Sequence, residues 1–415
     1  MSTRQDPLVV IGAGIVGLAT ARELQQRLPR QRVLVLEGAS APALGQTARN
    51  SGVVHAGIYY RPASLKARLC VEGARLLAAH CERRDLPFER CGKVIVARDE
   101  RERQRLEELL RRARANGVRG VEIVDRRRLA AIEPHCVGVA ALWSPTTAVT
   151  DFRAVAHSLA DELRQLGGEL RTWAQVEAVA ARPTGAAGRS PLTVALASGE
   201  RLAASFVVAC AGGDADRLAA ASGLAPQVRI LPFRGSYRTI RAPSSRLVRA
   251  LIYPVPDPQL PFLGVHLSRH VDGVVTLGPT ALPWPLRGLP GGTAVSTRRA
   301  RLRRHLVDSA RWPGTRRALW RYRRAGMREL SRWLCPRLLA TDARSYVPAL
   351  DPRDFAPGPA GIRAQAVARD GTLVDDFLVS EGPGMLHVLN APSPAATSAL
   401  ALARLIADRV AARLR

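Results

Sequence analysis

Four apolar residues at 8–11 (LVVI) run straight into glycines at 12, 14 and 17. Apolar residues then recur at Ala21, Leu24 and Leu28, and a second apolar run, RVLVLE, fills 32–37. The order predicts a strand, a glycine turn, a helix with one buried face and a second strand. GxGxxG at a strand–helix junction is a cradle for a dinucleotide. Gly12 allows the tight turn, Gly14 lets backbone approach the pyrophosphate, and Gly17 lets the helix pack on the strand. The helix N-terminus offers N–H groups and the positive end of its dipole. Glu37, twenty residues after Gly17, suits a ribose hydroxyl and argues against a 2′-phosphate, hence against NADP. It does not separate FAD from NAD, and a glycine turn that holds no ligand is the competing reading.

Strand-like and helical patterns alternate again at about 151–211 and 385–414, the signature of an α/β unit with a parallel sheet. In the middle block a helix is expected from about 152 to 166, ended by Gly167-Gly168. Strands follow near 169–173 and 192–197, and RLAASFVVACAGG reads as a strand that ends beneath a nucleotide. The three blocks are expected to form one discontinuous Rossmann-like domain (1–88, 151–222 and 340–415). The remainder (89–150 and 223–339) holds KVIVA at 93–97, a charged helix near 100–116 and short β-like runs from Arg229 to Leu282, and reads as an antiparallel-sheet substrate or cap domain. Residues 296–337 are helical in pattern, dense in arginine and carry Trp312, Trp320 and Trp333. Such helices can lie on anionic membrane surfaces; a solvated cap is the alternative.

At 415 residues two domains are the better expectation. No segment reads as a membrane span, and the first strand starts too early for a signal peptide before it, so a cytoplasmic protein is expected, with the inner membrane face as a possible resting place. Cys70, Cys81, Cys91, Cys136, Cys210 and Cys335 show no CxxC spacing, which points to neither a metal site nor disulfides. The formal charge of +27 raises nucleic acid as a partner. Yet of 62 basic residues only Lys66 and Lys93 are lysines; arginine is spread along the whole chain, the charge reads as a solvated surface, and no aromatic-interleaved basic motif supports a nucleic-acid role. The two lysines stand either by chance or where a compact ammonium is needed.

NSGVVHAGIYY at 50–60, SLKA at 64–67, CGKVIVA at 91–97, LIYPVPDPQLPFLGVHL at 251–267 and NAPSPAATS at 390–398 together resemble the L-2-hydroxyglutarate oxidase/dehydrogenase family, within the D-amino-acid-oxidase-type FAD enzymes. The resemblance spans nearly the whole chain. It implies FAD, oxidation of an L-2-hydroxy diacid to the 2-oxo acid, and oxygen or a quinone as acceptor. It also implies noncovalent FAD, although in sarcosine-type relatives a histidine in a comparable loop carries the flavin. The rival readings are an amine or glycerol 3-phosphate oxidoreductase of the same group and a basic, nucleic-acid-associated flavoprotein.

Oxidising a secondary alcohol sends hydride from C2 to flavin N5 while a base takes the hydroxyl proton, so a neutral imidazole beside the ring is required. Of His55, His266 and His387, His387 and His55 stand in segments expected to reach the flavin. Two substrate carboxylates call for cationic donors. Arg363 in GIRAQ is the first choice, with Lys66, Tyr60 and Arg234 behind it. The FAD contacts implied are Gly12, Gly14, Gly17 and Glu37, Ser51 and Gly52 in a polar loop, Ala211 and Gly212 in ACAGG, and Ser393, Pro394 and Ala395. There Ser393 suits an N-cap and Pro394 the first turn of a helix aimed at the flavin. Arg49, Ser236 and Thr280 depart from the family pattern and bear on substrate preference rather than on FAD.

Overall fold

The computed structural model describes residues 6–181, 192–258, 260, 262–287 and 306–414. Its first sheet has the order Leu378–Gly382, Met385–Asn390, Phe206–Ala209, Leu8–Ile11, Val33–Leu36 and Glu169–Arg171. All neighbours run parallel except the first pair. Alternation along each strand sorts the side chains onto two faces. Leu8, Val10, Val208, Leu386 and Val388 pack against Leu18, Leu159, Leu402 and Ile406 of the helices Ile15–Arg27, Phe152–Gln165 and Ala395–Leu414. Val9, Ile11, Val207 and Met385 face a three-stranded antiparallel sheet of Val176–Ala181, Leu192–Leu196 and Arg201–Ala204. The 192–197 strand therefore belongs to that covering sheet, not to the parallel one.

The second sheet has nine strands. Lys93–Ala97 runs parallel to Leu251–Pro254 and antiparallel to Ala140–Ser144; His266–Arg269 and Val275–Gly278 continue the sheet to Val228–Ile240. One face packs Val94, Val96, Ile252 and Leu267 against Leu339 and Ala343. The other sets Ile95, Leu251 and Tyr253 against Leu106 and Leu109 of the helix Glu100–Ala115, and against Ile58 from the first domain. A short sheet of Val53–Val54, Phe88–Glu89 and Ala148–Thr150 joins the domains.

One boundary moves. The return to the nucleotide domain, expected at 340, comes later in the sheets, because Phe355–Ala368 pairs along its length with Val228–Ile240 and so lies in the second sheet. Its Pro357, Gly358, Pro359 and Gly361 hide a strand that is held by its partner rather than by local propensity.

The helices Leu65–Arg83 and Ala395–Leu414 approach closely at Gly73, where an added Cβ would stand 2.4 Å from the Thr397 carbonyl oxygen. Gly73→Ala is therefore expected to lower stability by about 1–3 kcal/mol through overpacking, read as a lower Tm; an unchanged Tm would show that the helices separate freely.

Candidate active site

The C-terminal edge of the parallel sheet forms the nucleotide cradle. Gly12 has φ +99°, and a Cβ there would lie 2.5 Å from the Cys210 carbonyl oxygen; one on Gly17 would lie 1.9 Å from the Gly12 oxygen. No side chain caps the helix at Gly14. Glu37 accepts from the Ala13 N–H at 2.7 Å and the Ala39 N–H at 2.8 Å, which ties the end of the second strand to the glycine turn and leaves acceptor capacity for hydroxyls. Ala211 and Gly212 follow the neighbouring strand at the same edge. The residues fit a dinucleotide: a cradle with no room for side chains, an open helix N-terminus and a carboxylate beside it.

The polar loop at 46–52 is anchored from below. Thr47 Oγ1 accepts from the Ile15 N–H at 3.0 Å in the first turn of the helix, and Asn50 bonds Thr47 O and the Gly52 N–H. Neither anchor stands out in the sequence beyond its polar type. Ser51 and Gly52 lie in this loop, which leads to His55.

His55 is held from three directions. Its N–H donates to Thr397 Oγ1 at 3.1 Å, its carbonyl accepts from Cys70 Sγ at 3.2 Å, and its Nε2 lies 3.4 Å from Ser393 Oγ. Nδ1 is buried without a partner. The terminal helix begins at Ala395, not at Pro394 as expected, and the Ser393 hydroxyl faces His55 instead of capping the helix. That difference follows from the hydrogen bonding: the Ala395 N–H already bonds the Pro392 carbonyl.

Burial, followed by the charges of Lys93, His266, Lys66 and Arg363, holds His55 well below the ordinary imidazole pKa. These groups thus share one electrostatic neighbourhood. His266 stacks on Tyr253 with ring centroids 3.9 Å apart, and its Nδ1 lies 2.8 Å from the Gly264 carbonyl oxygen; burial pushes it down to about 3. Arg363 lies 5.5 Å from the Phe262 ring, and its charge acts on Tyr237, whose phenol burial pushes up. Lys66 pairs with Asp375 at 2.7 Å and lies 5.2 Å from the Tyr60 ring, so Tyr60 joins the same corner. Lys93 stands between Tyr59 and Tyr253. Lys93, Tyr237 and Tyr253 are absent from the expected substrate set; the rarity of lysine was the signal for the first, and nothing local marks the tyrosines.

Two expected residues are not brought to this cluster. His387 alternates with Leu386 and Val388, so it faces away from the terminal helix. Its ring nitrogens have no partners, and burial alone lowers it to about 4, with no charged neighbour contributing. Arg234 adjoins Phe233, which lies directly opposite Arg363 in the ladder. Alternation therefore sends Arg234 to the other face, where it lies 4.6 Å from the Trp284 ring.

The family model described as FAD dependent oxidoreductase matches residues 7–409. L-2-hydroxyglutarate dehydrogenase of Nematostella vectensis, mitochondrial, is 40% identical across 98% of this chain and 90% of its own length; that of Escherichia coli (strain K12) is 37% identical across 97% and 92%. The chain belongs to the FAD dependent oxidoreductases, among the relatives named L-2-hydroxyglutarate dehydrogenase. The fold is also that of L-α-glycerophosphate oxidase from Mycoplasma pneumoniae (TM-score 0.76, 22% identity, 97% and 94% coverage) and glycine oxidase from Geobacillus kaustophilus (TM-score 0.70, 20% identity, 97% and 94% coverage).

FAD is accordingly the cofactor that the cradle serves. Gly17→Ala, which forces the turn and helix apart, is expected to yield folded protein without the flavin absorbance; retention of full FAD would remove this turn from the binding site.

Proposed function

We propose that this protein oxidises L-2-hydroxyglutarate to 2-oxoglutarate. The observation that carries the reading is the half-buried His55, placed beside Ser393 and Thr397 and held well below the ordinary imidazole pKa by burial and by the charges of Lys93, Lys66 and Arg363. The relatives named above support it. Bound FAD supplies the two-electron acceptor. The chain's residues do the rest: Arg363, oriented beside Tyr237, receives the carboxylate next to the reacting carbon through its planar fork. His55, neutral at working pH, takes the hydroxyl proton on a ring nitrogen. Cationic neighbours favour the alkoxide-like charge that develops as that proton leaves. Ser393 lies against the imidazole, and Thr397 holds the backbone that carries it. His387, distant from these charges, is not assigned a role in proton transfer.

A second part of the proposal concerns where the protein works. The helices Pro313–Arg321 and Arg323–Leu334 and the residues up to 337 carry eight arginines against the single acid Glu329. Trp320, Met327 and Leu334 are 69%, 67% and 66% exposed. Trp312 departs from expectation: it is buried, with Nε1 donating to the Val367 carbonyl at 3.1 Å, so it anchors the helices rather than facing outward. Among the described residues no helix is long and apolar enough to cross a membrane. Basic helices with exposed tryptophan fit an anionic bilayer surface, from which a lipid-soluble acceptor such as a quinone could be drawn.

Anaerobic L-2-hydroxyglutarate is expected to bleach the flavin of the wild-type protein, and an oxidised spectrum would defeat the reading. His55→Ala is expected to keep FAD and slow that reduction about 10²–10⁴-fold. Because the His55 pKa is lowered, the imidazole stays unprotonated as pH falls, so kred/Kd is expected to hold level from about pH 7.5 to about pH 6 in place of falling through the free-histidine value. For the membrane contact, the protein is expected to float with anionic vesicles at low salt and to separate at about 0.5 M salt. Trp320→Ser with Trp333→Ser should weaken the association; flotation equal to that with neutral vesicles would refute it.

A further inference from the structure

Lys93 opens the strand Lys93–Ala97, on the face it shares with Ile95. Its side chain is 1% exposed, and its ammonium lies 4.7 Å from the Tyr59 ring centroid and 4.9 Å from that of Tyr253. Aromatic faces offset part of the cost of taking an ammonium out of water, but no carboxylate contributes to its charge balance. Burial consequently pushes it down to about 8, opposed among the described residues by the Cys70 and Cys91 thiols. A cation buried in this way is retained at a cost unless something pairs with it.

The other cations around His55 are already engaged in different ways. Lys66 has its own counter-ion, Asp375 at 2.7 Å. Arg363 lies beside Tyr237 and over Phe262. Arg363 and Lys93 stand on strands separated by four others in the sheet order, yet both act on His55 and on His266. Tyr253 joins Lys93 to this cluster, its ring 4.9 Å from the ammonium and stacked at 3.9 Å on His266. Two positive charges that have no carboxylate partner among the described residues, on strands with four others between them, call for a ligand with two separated negative charges.

We propose that Lys93 binds the distal carboxylate of the substrate, the one remote from the reacting carbon, and so makes the site selective for dicarboxylates over monocarboxylates. This rests on the reading of the site as that of a 2-hydroxy diacid oxidoreductase, with Arg363 on the near carboxylate. A compact ammonium on a flexible stem can meet a carboxylate as a point charge while resting against both phenol rings. It accounts for a lysine here in a chain that otherwise uses arginine almost everywhere. A role as proton acceptor would be a different matter, since it would affect monocarboxylate and dicarboxylate substrates alike.

The test uses the FAD-loaded full chain with glutarate and butyrate as non-reacting probes, titrated by perturbation of the flavin absorbance and by calorimetry. Wild-type protein is expected to bind glutarate at least about tenfold more tightly than butyrate, and more tightly by a similar factor than glutaramate, in which an amide replaces the distal carboxylate. Lys93→Met and Lys93→Gln remove an unpaired buried charge, so each is expected to keep or raise Tm. Each should lose the glutarate preference while butyrate affinity shifts by less than about threefold. A preference that survives in both variants, with or without a lowered Tm, overturns the proposal, because the side chain would then only pack between the rings. Equal weakening of both probes overturns it too, as does wild-type protein that treats glutarate and glutaramate alike, a result independent of whether the variants fold. Failure of L-2-hydroxyglutarate to reduce wild-type flavin defeats the reading of the function instead, whatever the probes show.

Discussion

Positive charge taken out of water without a counter-ion governs this site. Lys93 is the extreme case, and Arg363 and Lys66 share its neighbourhood around His55. In a desolvated pocket like charges penalise one another, and the group with the weakest hold on its proton gives way first. That group is the imidazole. Burial first, and then these cations, hold His55 neutral, and the same cations attract anions; on the proposed reading, proton acceptance and recognition of an acidic substrate come from one arrangement. Altering a cation would change binding and the state of the base together.

The arrangement depends on chain segments far apart in sequence. His55 is tied to Thr397, 342 residues away, and Thr397 also reaches the Val53 carbonyl. The helix that carries Thr397 packs against the helices Ile15–Arg27 and Leu65–Arg83, which present the glycine cradle and Lys66. Thr47 links the cradle to the polar loop below His55. The glycine cradle and His55 are thus positioned by the same three helices, and the second sheet brings Lys93, Tyr253 and His266 to them.

What could be read along the chain was what local chemistry determines. The glycine spacing, the apolar runs on either side of it and the helix 152–166 depend on neighbours a few residues away, and the structure has them within a residue or so. The lysine bias singled out Lys93, though not its partners. Long-range pairing hid the rest. Phe355–Ala368, which carries Pro357, Gly358, Pro359 and Gly361, does not stand out as a strand in the sequence, and its ladder comes from Val228–Ile240. His387 and His55 look alike as histidines in motif segments, and only strand alternation separates them. Arg234 fails for the same reason: one residue of register decides which face an arginine serves. Trp312 reads as part of an exposed aromatic series until the Val367 carbonyl claims its indole.

Fold alone leaves the substrate open, since the same architecture serves an L-α-glycerophosphate oxidase and a glycine oxidase. The charges narrow it. An amino acid brings an ammonium into a pocket that already holds the cations Lys93 and Arg363, and its repulsion from them opposes binding. A phosphate ester carries enough negative charge, but concentrates it at one end, where it could satisfy one cation and leave another bare. A 2-hydroxy diacid places one carboxylate beside the carbinol and the second at the far end of the chain. On the proposed reading one carboxylate goes to Arg363 and the other to Lys93, with the hydroxyl before a neutral His55. The discrimination therefore lies in how the cations are distributed, not in how many there are.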